Sequence, residues 1–147
     1  MKIKVIAFDV YGTILMHGDP ENCMPPRDGF VEFARACVSE GILLVTSSDN
    51  QIIPMQIDLE SSGKHSGQKT VPLEIFSGFF KMEKDMPKDF RPILKHFGIE
   101  PGELCVFGDR MDLDIEPALK LGCKAMYIPP YAREDTFDWR SVDIDVI

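Results

Sequence analysis

Residues 3–15 read Ile3-Lys4-Val5-Ile6-Ala7-Phe8-Asp9-Val10-Tyr11-Gly12-Thr13-Ile14-Leu15. Apolar residues packed this densely predict a buried strand, and Gly12 marks the break after it. Strands buried on both faces belong to parallel sheets, and open sheets of that kind bind ligands outside the carboxyl ends of their strands. Asp9 stands at that end. It is a candidate nucleophile or metal ligand, although a strand-end Asp that only caps the next turn reads the same way within this stretch.

Three later segments bear on the choice. Ile42-Leu43-Leu44-Val45 runs into Thr46-Ser47-Ser48, a second buried strand ending in hydroxyls. Lys84-Asp85-Met86-Pro87 precedes a helical pattern, and Leu104-Cys105-Val106-Phe107 ends in Gly108-Asp109 with Asp114 five residues on. In order these are a carboxylate, a hydroxyl, an ammonium and a carboxylate pair. That is the equipment for handling a phosphoryl group: a nucleophile, two groups for its oxygens and a magnesium site.

The order and spacing resemble the haloacid dehalogenase superfamily, most of whose members are magnesium-dependent phosphatases. Asp9 to Leu15 is similar to its first motif, Thr46 to its second, Lys84 with Pro87 and Phe90 to its third, and Gly108-Asp109-x4-Asp114 to its fourth. The similarity runs from Ile3 to about Ile128. It implies an α/β fold, a Rossmann-like three-layer sandwich with a mainly parallel central sheet. It also implies roles: Asp9 as nucleophile, and Thr46, Ser47 and Lys84 as phosphate-binding groups. Mg2+ is the implied cofactor, held by Asp9, Asp109 and the backbone carbonyl of Tyr11, with Asp114 orienting the metal shell. Thr13 is a further candidate for substrate contact or for bracing the loop.

Alternating elements agree with that fold. Phe30, Phe33, Ala34, Cys37 and Val38 recur at helical spacing before Gly41, and Phe90, Ile93, Leu94 and Phe97 before Gly98. Met111 to Leu121 predicts a third helix and Ala125 to Ile128 another strand. A short helix is expected near Pro54 to Ser61, a strand over Ile75 to Phe79, and an edge strand in the alternating tail Val142 to Ile147.

At 147 residues, 44% hydrophobic and 27% charged, the chain has the size of a single domain, residues 1–147, burying roughly 70% of its unfolded surface. A net charge of −8 argues against broad nucleic-acid or anionic-membrane binding. Cys23, Cys37, Cys105 and Cys123 show no C-x-x-C spacing, so reduced structural thiols are expected. His17, His65 and His96 share no ligand spacing, which favours surface or packing roles. With no signal peptide or membrane-length apolar run, a cytoplasmic location is the expectation.

Two departures from the family pattern stand out. The first is Tyr11, where the phosphatases carry an Asp that protonates the leaving group and then activates water. A phenol is a poor proton shuttle at neutral pH. The dehalogenases themselves carry Tyr-Gly-Thr here, so a dehalogenase-like hydrolase is one alternative, opposed by the magnesium-type Asp109 and Asp114. A degenerate fold serving as a binding or interaction module is another. The second departure is size. Neither Met16 to Asp28 nor Ser47 to Glu83 has room for the cap domain that small-metabolite members insert. Capless members commonly act on large substrates or close their sites by oligomerising. The expected partner is therefore a phosphorylated substrate, macromolecules included. A homo-oligomer stays open, with the Ser62 to Thr70 loop as its contact segment.

Overall fold

The computed structural model describes residues 2–17, 25–64 and 70–146. Five strands, β1 (Val5–Phe8), β2 (Leu43–Thr46), β3 (Gly78–Phe79), β4 (Leu104–Gly108) and β5 (Lys124–Tyr127), form one sheet of order β3-β2-β1-β4-β5. Every neighbouring pair is parallel. Phe8 is in register with both Thr46 and Phe107, so β1 and β2 end level, β4 runs one residue further, and Asp9 emerges between them. The chain winds from β1 outward through β2 to β3, then returns to place β4 on the other side of β1. The boundary between β1 and β4 is thus the switch point where open α/β sheets form a crevice.

Successive side chains of a strand point to opposite faces, and here both faces are covered. Ile6 and Phe8 join Leu44 and Phe107 under α1 (Phe30–Ser39), against Phe30, Phe33 and Trp139. Val5 and Ala7 join Val45 and Val106 under α3 (Arg91–Phe97) and α4 (Glu116–Leu121), against Phe90, Ile93 and Ala118. The result is the expected three-layer sandwich. Each fully buried Phe or Ile of these layers contributes about 1.5–3 kcal/mol relative to exposure. The fourth helix, α2 (Ile52–Ser61), follows β2. Among the described residues, the connections from β1 to α1 and from β2 to β3 hold turns and α2, with no cap domain.

Three expected elements take other forms. The segment over Ile75 to Phe79 is a 3-10 turn, Leu73–Ile75, followed by a strand of only Gly78–Phe79. The helix from Met111 opens as a π turn, Met111–Ile115, before becoming α4 at Glu116. The tail is no edge strand: it forms 3-10 turns at Trp139–Ser141 and Ile144–Val146. Its acidic residues supply the reason. Asp138 Oδ1 accepts from the Arg140 backbone N–H at 2.8 Å and Asp143 Oδ1 from that of Asp145 at 2.9 Å, so side chains satisfy the backbone locally. Trp139, fully buried, then anchors the tail over the sheet face beside α1.

Cys37, Cys105 and Cys123 are buried and free. Burial pushes the Cys37 and Cys105 thiols up to about 12 and the Cys123 thiol up to about 11, which leaves them protonated and inert. His96 packs edge-on against Phe80 and Phe97. Cys23, His65, the core of the Ser62 to Thr70 loop and residues 18–24 within the Met16 to Asp28 segment lie outside the described residues. No described helix is long and apolar enough to cross a membrane.

Candidate active site

After β1 the chain turns at once. The backbone N–H groups of Ile14 and Leu15 donate to the Val10 carbonyl at 2.8 and 3.0 Å, and that of Gly12 donates to Leu15 at 2.7 Å. Gly12 has φ 88°, a left-handed conformation that disfavours any side chain, and a Cβ there would overlap the Asp109 carboxyl. The absent side chain lets Asp109 lie against the loop. Thr13 turns inward, fully buried, and its Oγ1 donates to Asp9 Oδ2 at 3.2 Å.

The loop is braced from outside by the C-terminal segment. The Gly12 carbonyl accepts from the Tyr131 backbone N–H at 2.8 Å and from Arg27 Nη1 at 3.4 Å. The Thr13 carbonyl accepts from Trp139 Nε1 at 3.4 Å. Arg27 is itself buried. Its Nε and Nη2 donate to the two Asp135 carboxylate oxygens at 2.9 and 2.7 Å, and its guanidinium lies 4.6 Å from the Phe137 ring centre.

On the β4 side, the Asp114 and Ile115 backbone N–H groups both donate to the Arg110 carbonyl, at 2.9 and 3.2 Å. The π turn so formed carries Asp114 inward, where it is 1% exposed. Gly108 makes the room: a Cβ on it would collide with the Asp114 side chain. Asp9, Asp109 and Asp114 thereby offer carboxylate oxygens that all lie within 4.8 Å of one another.

One buried lysine joins them. Lys88 Nζ lies 2.9 Å from Asp9 Oδ1 and 2.5 Å from Asp114 Oδ1. Its backbone N–H donates to the Leu113 carbonyl at 3.0 Å, holding it over the π turn. Sequence reasoning placed Lys84 here, and the structure does not. Lys84 is exposed, in a turn whose next residue, Asp85, has φ 59°. That turn and Pro87 bring the chain back, so the lysine reaching Asp9 is four positions later. The available signal was the proximity of Lys88 to Phe90, the buried aromatic residue at which α3 begins.

Crowding of like charges is visible in the proton affinities. Burial first, then the hydrogen bond and charge of Asp9, push the Asp109 carboxyl up to about 7. Burial and the Asp9 charge raise Asp114 to about 6, against the pull of Lys88. Burial alone would lower the Lys88 ammonium, but Asp9 and Asp114 outweigh it and hold it above the ordinary lysine value. Three hard oxygen donors with one cation among them suit a small divalent ion such as Mg2+, which would replace the protons of the raised pair.

The remaining candidates divide. Thr46 and Ser47 are fully buried at the end of β2, and their hydroxyl oxygens have no hydrogen-bond partner among the described residues. Buried hydroxyls in that state call for an explanation, and a ligand oxygen supplies one. The Tyr11 side chain turns to α2, where its hydroxyl donates to Asp58 Oδ2, a partner the sequence did not signal. Burial and the Asp58 carboxylate raise the Tyr11 phenol well above its ordinary value.

A cavity of about 260 Å³ opens over this cluster, lined by Asp9, Tyr11, Asp109 and Asp114 together with His17, Asp49, Asn50 and Arg110 among others. A larger hollow of about 480 Å³, between Pro87–Arg91 and α4, contains none of the three carboxylates.

Comparison with known proteins agrees with the fold. A hydrolase of the haloacid dehalogenase family from Xanthomonas campestris superposes with a TM-score of 0.64 at 13% identity, over 92% of this chain and 88% of its own. A predicted phosphoglycolate phosphatase from Haemophilus somnus gives 0.63 at 14% identity, over 85% and 84%. A family enzyme from Bacteroides thetaiotaomicron, solved with magnesium and inorganic phosphate, gives 0.59 at 13%, over 91% and 97%. At these identities the likeness is one of fold. No curated protein matches the chain. The family model for haloacid dehalogenase-like hydrolases matches residues 17–122, a span that includes Thr46, Lys88, Asp109 and Asp114, and the chain belongs to that family.

Proposed function

We propose that the chain is a magnesium-dependent phosphoric monoester hydrolase that works through an aspartyl-phosphate on Asp9. One observation carries this reading: Asp9, Asp109 and Asp114 converge with Lys88 at the switch point of the sheet, beside two partnerless hydroxyls. Asp9, Asp109 and the Tyr11 backbone carbonyl would hold Mg2+, with Asp114 orienting its shell. Bound there, the ion neutralises charge on the transferring phosphoryl oxygens.

The residues of the chain do the rest. An Asp9 oxygen attacks phosphorus in line as the bond to the leaving oxygen breaks. Lys88, not Lys84, meets the phosphoryl oxygens together with Thr46 and Ser47, and it screens Asp9 from the phosphate charge. Thr13 holds Asp9 in its attacking orientation through the 3.2 Å hydrogen bond. The relatives that carry magnesium and phosphate, or a phosphatase name, support this chemistry by family likeness.

Hydrolysis of 4-nitrophenyl phosphate, with and without Mg2+, by wild type and Asp9→Asn tests the reading. Activity that needs both Mg2+ and Asp9 is expected. Metal-independent activity, or activity kept within tenfold by Asp9→Asn, overturns it. Halide release from a haloacid without metal would favour the dehalogenase alternative that Tyr11 suggests.

A further inference from the structure

We propose that Asp49 is the general acid and base of this site, taking over the work that Tyr11 cannot do. This assignment rests on the phosphatase reading above.

A phosphatase that makes an aspartyl-phosphate needs a proton twice. The leaving oxygen must receive one as it departs, and the attacking water must lose one in the second step. Tyr11 occupies the position two residues after the nucleophile where such a group belongs, yet its hydroxyl is committed as a donor to the Asp58 carboxylate. Asp9, Asp109 and Asp114 are engaged with one another and with Lys88. Asp58 accepts the Tyr11 hydrogen bond, and Asp112, outside the cavity, is paired with Arg110 at 2.9 Å.

Asp49 differs from all of these. It is half-buried, it lines the same cavity as Asp9, and it has no hydrogen-bond or ion-pair partner among the described residues. It stands three positions after Thr46, on the loop carrying the partnerless Thr46 and Ser47 hydroxyls. The Tyr11 hydroxyl also interacts with Asn50, so this loop borders the side of the cavity to which position 11 points. The geometry thus presents an uncommitted carboxyl in the cavity onto which Asp9 opens.

The steps balance. Asp9 forms its bond to phosphorus as the bond to the leaving oxygen breaks, and that oxygen takes the proton of the Asp49 carboxyl. Water then attacks the aspartyl-phosphate and gives its proton to the Asp49 carboxylate. The bond between Asp9 and phosphorus breaks, inorganic phosphate leaves, and both side chains return to their starting states.

The test is kcat/KM for a series of para-substituted phenyl phosphates, which share a shape and differ in how much their leaving oxygen needs a proton. Because kcat/KM reports steps up to transfer onto Asp9, it isolates the acid role. Asp49→Asn is expected to lose about 10²-fold or more on phenyl phosphate and at least about tenfold less on 4-nitrophenyl phosphate. Asp49→Glu, which keeps a carboxyl, should recover much of that loss, and circular dichroism should show both variants folded. An equal loss across the series, or none, overturns the assignment. The same selective loss in His17→Gln, and not in Asp49→Asn, moves the role to His17, which also lines the cavity. No magnesium-dependent hydrolysis of any member by wild type overturns the phosphatase reading, and this assignment with it.

Discussion

The Tyr11 hydroxyl donates a hydrogen bond to the Asp58 carboxylate, tying the loop after β1 to α2 across 47 positions of sequence. The residue that departs most from the family pattern is therefore built into the tertiary structure. Its phenol donates to Asp58, and burial with that carboxylate makes it harder to ionise.

Replacing Tyr11 with Phe removes that donor and leaves the loop backbone alone. Stability should fall by about 1–2 kcal/mol, as for loss of a hydrogen bond to a charged group, while kcat/KM stays within about threefold. Urea denaturation and steady-state kinetics on one preparation check both halves. A large catalytic loss would show that the phenol takes part in chemistry.

Lys88→Met and Lys84→Met separate the two lysines. The first removes the cation between Asp9 and Asp114 and should cut phosphatase activity by about 10²- to 10³-fold. The second changes an exposed turn and should leave stability within about 0.5 kcal/mol and activity unchanged. The reverse pattern would restore the sequence-based placement of Lys84.

The raised carboxylates set a pH dependence whose sign follows from linkage. Asp109 and Asp114 titrate near 7 and 6 in the folded, metal-free chain, above an unfolded carboxylate near ~4. Between those limits the folded state binds more protons, so stability of the metal-free chain falls as pH rises through the window. Lys88 stays charged throughout it, being held above its ordinary value. Mg2+ competes with the same protons, so its thermal stabilisation should be larger near pH ~7.5 than near ~5.5, and absent in Asp109→Ala. Calorimetric affinity equal in wild type and Asp109→Ala would contradict the metal assignment.

Arg27→Ala should be the most damaging change outside the cluster. It leaves Asp135, whose side chain is 13% exposed, without its bidentate partner, and it removes a donor from the Gly12 carbonyl. Breaking a buried ion pair from one side costs about 3–5 kcal/mol. Chemical denaturation reads the loss directly, and a change below about 1 kcal/mol would show that the pair does not brace the loop.

The parts of this protein legible in its sequence are those whose physics is local. Dense apolar runs dictate buried strands, and the residue ending each run is placed at the sheet edge whatever surrounds it. That is why Asp9, Thr46 and Asp109 are legible in the sequence as strand-end residues. Gly12 was legible only as the break after the first strand; that it leaves room for Asp109, and Gly108 for Asp114, was decided by the fold. What tertiary structure alone decided depends on distance in sequence. The choice of Lys88 over Lys84 turned on how one exposed loop folds back to Asp9. The Tyr11 to Asp58 bond joins elements with no shared periodicity. The tail read as a strand because Val142, Ile144 and Val146 alternate with acids, but Asp138 and Asp143 close their own turns and Trp139 seeks the buried face. Periodicity reports which face of a segment is apolar. Only packing decides which partner that face meets.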